Sequence, residues 1–101
     1  MDFKVEGNNE RLVVRVSGEV TAASSAELRQ AVQELSARKP QAIVLDLTDM
    51  PFIDTSGLGV LVGLRSHLKR QGTALSVENP QARVLQVFRL TQLSRIFGMD
   101  A

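Results

Sequence analysis

Ile43-Val44-Leu45-Asp46-Leu47-Thr48-Asp49-Met50-Pro51-Phe52-Ile53-Asp54-Thr55-Ser56-Gly57-Leu58-Gly59 changes character twice. It opens as a nearly unbroken apolar run from Ala42 to Leu47, as expected of a central strand covered on both faces or flanked on both edges. It closes where a helical period begins, near Gly57. Between the two lie a carboxylate, two hydroxyls and two glycines: Asp54, Thr55, Ser56, Gly57 and Gly59. A strand that feeds a helix through such a loop predicts an α/β fold. It also presents backbone N–H groups with little side-chain bulk around them.

Upstream, Phe3 and Val5, then Leu12, Val14 and Val16, alternate with polar residues on either side of Gly7-Asn8-Asn9. Residues 2–17 are therefore expected as a β-hairpin. Ser24 or Ser25 can cap a helix, with Leu28, Ala31, Val32 and Leu35 as its apolar stripe and Lys39-Pro40 as its stop. Downstream, the helix from about Gly57 to Gln71 is closed by Gly72, placed for a left-handed C-cap. Thr73 to Val77 is a short strand. Glu78-Asn79-Pro80 begins a third helix, with proline in its first turn and Val84, Leu85, Val87, Phe88 and Leu90 as its core face. Leu93 to Phe97 fits a helix or an edge strand. The order predicts a mixed sheet of four to five strands, with an N-terminal antiparallel hairpin, parallel central strands and helices packed against it.

Composition bounds what such a fold can do. At 101 residues, 44% of them apolar, the chain makes one globular domain over 1–101. There is no cysteine, so disulfides, thiolate metal sites and thiol catalysis are excluded. A formal charge of +1 with mixed signs predicts no basic stripe for direct nucleic-acid binding. The longest apolar-rich run, Leu58 to Leu64, is too short for a membrane span, and the expected setting is the cytoplasm. No His, Cys and carboxylate set has metal-ligand spacing, and no cofactor is expected.

Four kinds of chemistry compete for the loop. Any of Asp54, Thr55 or Ser56 would serve as a helix cap. Asp54-Thr55 resembles the Asp-Thr-Gly loop of aspartic proteases, but Ser56 interrupts the triplet and the pattern is rich in helix. Gly57-x-Gly59 mimics a dinucleotide fingerprint, yet the third glycine falls at 63 rather than 62 and no further βαβ units follow. Ser56 with His67 as base fails on distance, since eleven residues of one helix separate them, roughly 16 Å. What remains is a surface that is bound. Gly57 and Gly59 cost about 1 kcal/mol each inside a helix, which predicts close approach by another element or a partner. Leu58, Val60, Leu61, Val62 and Leu64 make the helix's first turns apolar nearly all round, so part of that ring is expected to face outward for docking.

The run from Ile43 to Leu61, with its Asp54-Thr55-Ser56-Gly57-Leu58-Gly59 core, closely resembles the anti-sigma factor antagonists of the STAS domain family. Ser17-Gly18-Glu19-Val20 matches that family's Gly-Glu-Leu segment. The resemblance implies a STAS-like sheet and a non-enzymatic regulator in a bacterial partner-switching pathway. It implies that the unmodified chain binds an anti-sigma factor that is also a serine kinase, releasing the sigma factor. The kinase, which itself holds ATP and Mg²⁺, phosphorylates Ser56, with Thr55 as the alternative acceptor, and a serine phosphatase reverses the mark. Thr21, Asp54, Thr55, Ser56, Gly57, Leu58, Gly59 and Leu61 are the implied partner contacts. Two departures stand out: Thr21 replaces the family's usual Asp, and Thr91-Gln92-Leu93 replaces Thr-Gly-Leu. The first of these sustains an alternative, a phosphate-independent interaction module of a transporter or sensory complex.

Overall fold

A computed structural model describes residues 1–99; the last two positions of the domain expected over 1–101 lie outside the described residues. Strands β1 (Asp2–Gly7) and β2 (Leu12–Ser17) form the expected antiparallel hairpin, in the register Phe3 to Val16 and Val5 to Val14. Helix α1 (Ser25–Ser36) then returns the chain to β3 (Ala42–Asp46), and helix α2 (Thr55–Arg70) returns it to β4 (Ala74–Glu78). The strands lie in chain order, β1-β2-β3-β4, and both later pairings are parallel. The last helix, α3, spans Ala82–Leu90.

Both crossovers advance the same way across the sheet. With the usual right-handed sense, that puts α1 and α2 on one face, where they touch each other. The core lies between: Leu12, Val14, Val16, Ile43, Leu45, Leu75 and Val77 point into it from the sheet, and Leu28, Val32, Leu61, Leu64 and Leu68 meet them from the helices. The opposite face carries Lys4, Glu6, Arg15, Asp46 and Glu78. The apolar run of β3 therefore reflects flanking by β2 and β4, not helices on both faces. Val44, on the open face, is only 3% exposed between its neighbours Val13 and Ser76.

Several boundaries and faces differ from the sequence-based expectation. Ser24 stands at the N-cap position of α1, but its hydroxyl makes no cap bond. It accepts from the Thr21 N–H and donates to the Glu19 carbonyl, closing the turn before the helix. That helix stops at Ser36, and Lys39 takes a left-handed conformation at φ 52°. Helix α3 begins two residues beyond Pro80, with Gln81 as its N-cap. Asn79 at φ 55° turns the chain out of β4 first, and proline disfavours the helical region for the residue before it. Val84 and Phe88 carry the buried face of α3, whereas Leu90 is 75% exposed. Residues 93–97 form turns, so the sheet has four strands; the Phe97 carbonyl accepts from the Val77 N–H and its ring packs edge-on against Phe88 at 5.6 Å.

Candidate functional site

The loop of residues 47–54 is built from backbone bonds to two other segments. The Leu47 N–H donates to Glu78, and the Asp49 carbonyl accepts from Gly18. At its end, Val20 and Ile53 form an isolated parallel bridge: the Val20 N–H donates to the Phe52 carbonyl at 2.9 Å, and the Asp54 N–H donates to the Val20 carbonyl at 3.0 Å. Segment 18–22 and the start of α2 are thereby fixed side by side. Val20 and Ile53 are both buried and anchor the joint from below.

Asp54 is the N-cap of α2, in an extended conformation at φ −103° and ψ −177°. One carboxylate oxygen accepts from the Gly57 N–H at 3.0 Å, and the other accepts from the Ala22 N–H at 3.3 Å. A single side chain thus caps the helix and ties the neighbouring turn to it. Thr21 lies in that turn, half-buried; its hydroxyl accepts from the Ala23 N–H at 3.3 Å and its carbonyl from Ser24 and Ser25.

Because Asp54 takes the capping role, Ser56 does not. Thr55 and Ser56 are exposed in the first turn of α2, and among the described residues neither hydroxyl makes a hydrogen bond. Their backbone N–H groups take no backbone acceptor either, as is usual for the first turn of a helix. The site is an accessible hydroxyl pair beside two free donors at the positive end of a helix dipole. Such a place tolerates an added anion.

The two glycines separate here. A methyl group at Gly57 would sit 2.6 Å from Val20 Cγ1 and 2.8 Å from Ile53 Cγ1, so the close approach it permits is internal. Gly59 is exposed, and a methyl group there would meet no atom within 4 Å. No element of the fold requires that glycine. Little of the apolar ring of α2 faces outward: Leu58 (4% exposed), Val60 (7%), Leu61 (0%) and Leu64 (3%) are buried, and Val62 is half-buried against the core. Leu58 and Leu61 consequently support the loop from beneath and are not available as contacts. The helix can bury so wide a stripe because it packs on the sheet and on α1 together.

Three features of the site were not anticipated. Ala22, through its N–H, is a direct partner of Asp54. The Arg83 guanidinium at the start of α3 lies over the Phe52 ring, 6.0 Å from its centroid, at the same rim. Asp46, at the end of β3, gathers the Thr48 hydroxyl (2.6 Å) and N–H (3.0 Å), the Asn79 amide (3.3 Å) and Arg15 (3.4 Å). Burial raises its carboxyl, but the two Thr48 bonds, the Asn79 bond and the Arg15 charge outweigh that and hold it below the usual carboxylate range. Nothing in the local sequence announced the bridge or the stacking of Arg83. Among the described residues no group of His, Cys, Asp and Glu is arranged to hold a metal, and no helix is long and apolar enough to cross a membrane.

The profile of the STAS domain family matches residues 2–101. The chain is 32% identical over 101 residues to the anti-sigma-B factor antagonist of Bacillus subtilis, covering 100% of this chain and 92% of that one. A crystal structure of an anti-sigma factor antagonist from Mycobacterium paratuberculosis matches with a TM-score of 0.78 at 30% identity, over 95% of this chain and 81% of the other. The anti-sigma factor antagonist SpoIIAA in its unphosphorylated form matches with a TM-score of 0.78 over 93% of this chain and 84% of its own; at 23% identity that likeness speaks for the fold.

Proposed function

This chain belongs to the STAS domain family, and from that premise we propose that it is an anti-sigma factor antagonist switched by phosphorylation at Ser56. The observation that carries this is the unengaged Ser56 hydroxyl, exposed on the first turn of α2 while Asp54 alone caps the helix. Nothing in the fold has to be broken for a kinase to reach it. Thr55, one residue earlier and equally exposed, is the alternative acceptor.

In the unmodified state the rim made by Thr21, Asp54, Thr55, Ser56 and Gly59 docks on a cytoplasmic anti-sigma factor and frees the sigma factor. The partner is also the serine kinase; it brings ATP and Mg²⁺, and this chain contributes a substrate hydroxyl and no catalytic group. Gly59 keeps the outer face of α2 low enough for the partner's surface to lie against it. A phosphate on Ser56 adds roughly −1.5 to −2 charge at pH 7. The free N–H groups of Thr55 and Ser56 and the helix dipole accommodate it within the chain. Across a docked surface, beside Asp54, the same charge is desolvated and repelled. An uncompensated interfacial charge costs about 2–5 kcal/mol, which weakens binding by tens to thousands of times. A serine phosphatase restores the binding form.

Intact-mass measurement after incubation with the cognate anti-sigma kinase and ATP tests this. One phosphate is expected, mapped to Ser56 and lost in Ser56→Ala. No gain, or a gain that persists in Ser56→Ala with Thr55→Ala, overturns it. Recovery of a membrane transporter or sensory complex from a pull-down, with no kinase, would move the reading to a phosphate-independent module.

A further inference from the structure

The formal charge of +1 conceals a strong segregation. Residues 57–99 carry six cations, Arg65, Lys69, Arg70, Arg83, Arg89 and Arg95, against one acid, Glu78, and that acid is tied to Arg11 at 2.6 Å. Residues 1–56 hold nine of the acids. Some of the cations have structural work: Arg65 donates to the Ile96 carbonyl at 3.2 Å, and Lys69 and Arg70 suit the C-terminal end of α2. Arg89 stands in the last turn of α3, where it also suits the dipole, and Arg95 lies in the turn beyond that helix. Among the described residues neither lies within ion-pair distance of a carboxylate. Both line a concave cleft of about 520 Å³ between the end of α3 and the 92–96 turn, with Gln92 and Ile96.

Of the three large apolar side chains exposed among the described residues, Ile96 lines this cleft, while Leu90 neighbours it in sequence without lining it. Leu90 is 75% exposed and Ile96 39%, each next in sequence to one of the two arginines. A dipole accounts for Arg89, but not for Arg95 with an exposed Ile96 beside it in the same cleft. We propose that this cleft is a second docking surface, for an acidic segment of a protein partner in which carboxylates are interspersed with apolar side chains. Arginine's planar fork matches a carboxylate bidentately, while Ile96 takes an apolar group between. A concave cleft admits a protruding chain and fits a flat lipid surface poorly. Single-stranded nucleic acid would need exposed rings for stacking, and Phe88 and Phe97, the two aromatic residues in this region, are fully buried.

The surface is remote from Ser56. Lys69, beside Ile96 in the adjoining groove, lies thirteen residues along α2 from Ser56, about 20 Å at 1.5 Å per residue. The two surfaces can be occupied together, and the second does not depend on the phosphate switch at the first.

The test is a titration of the full ¹⁵N-labelled chain with a synthetic peptide of glutamate interspersed with leucine. A phosphatidylglycerol vesicle and a single-stranded oligonucleotide run in parallel. Amide shifts are expected to cluster at residues 89–96 and to spare 21–22 and 54–59. Arg89→Glu with Arg95→Glu is expected to weaken binding at least about tenfold, a loss of about 1.4 kcal/mol. Ile96→Ser, at unchanged charge, is expected to weaken it as well. If the charge-reversed pair does not fold, Arg89→Gln with Arg95→Gln replaces it. Shifts scattered over all the cations, none up to millimolar peptide, or tighter binding of the vesicle or oligonucleotide overturns the proposal.

Discussion

Gly57 and Gly59 are two residues apart and have opposite reasons to be glycine. At Gly57 the Val20 and Ile53 side chains occupy the space that a methyl group would need. Gly57→Ala is therefore expected to destabilise the chain by about 1–3 kcal/mol through overpacking, seen as a lower urea midpoint. At Gly59 a methyl group points into open space, so Gly59→Ala is expected to stabilise the helix by up to about 1 kcal/mol. The same change is expected to weaken binding to the anti-sigma factor. A Gly59→Ala variant that gains stability with full affinity would remove the partner from the account of that residue. Three capping residues in a row made the choice of cap illegible locally. The choice is fixed by the Val20–Ile53 bridge, which joins segments more than thirty residues apart in sequence and aims Asp54 at both Gly57 and Ala22. Asp54→Ala is expected to cost about 0.5–2 kcal/mol as a lost cap and to loosen the 21–24 turn, visible as faster amide exchange at Ala22.

Among the elements, α2 shows where periodicity misleads. Its apolar ring is too wide for one packing partner, which argued for a free outward face. It has two partners, the sheet and α1, and Leu58, Val60 and Leu61 are consumed by them. Leu61→Ala is expected to lose about 2–5 kcal/mol of stability, a cost of packing and not of docking. The hairpin and the β3-α2-β4 crossover were legible because they depend on local alternation and on turn residues. The start of α3 was not, because proline is compatible with a helix start and equally with the turn that Asn79 makes before it. The loop after β3 also carries a pH signature. The carboxyl of Asp46 titrates lower folded than unfolded, so its contribution to stability is complete above about pH 4. That contribution is lost as pH falls through the depressed folded value. Asp46→Asn is expected to flatten the acid limb of a stability-versus-pH curve and to lower stability at pH 7.

At the scale of the whole molecule, one face of the sheet is open, the other is covered by both crossover helices, and the proposed switch residue, Ser56, sits at the rim where β2, β3 and α2 meet. Family membership was legible in the motif from Ile43 to Leu61, since strand, polar loop and glycine pair are contiguous in sequence. The cleft lined by Arg89 and Arg95 was not, because it forms only where the 92–96 turn lies against the end of α3. In the proposed function, one exposed hydroxyl at that rim decides whether this molecule binds. The most direct test is calorimetric titration of the cognate anti-sigma factor, nucleotide present, with the unmodified chain and with the chain phosphorylated at Ser56. The phosphate is expected to weaken binding tens to thousands of times, equivalent to about 2–5 kcal/mol, with no loss of fold by circular dichroism. Equal affinities for the two forms would contradict it.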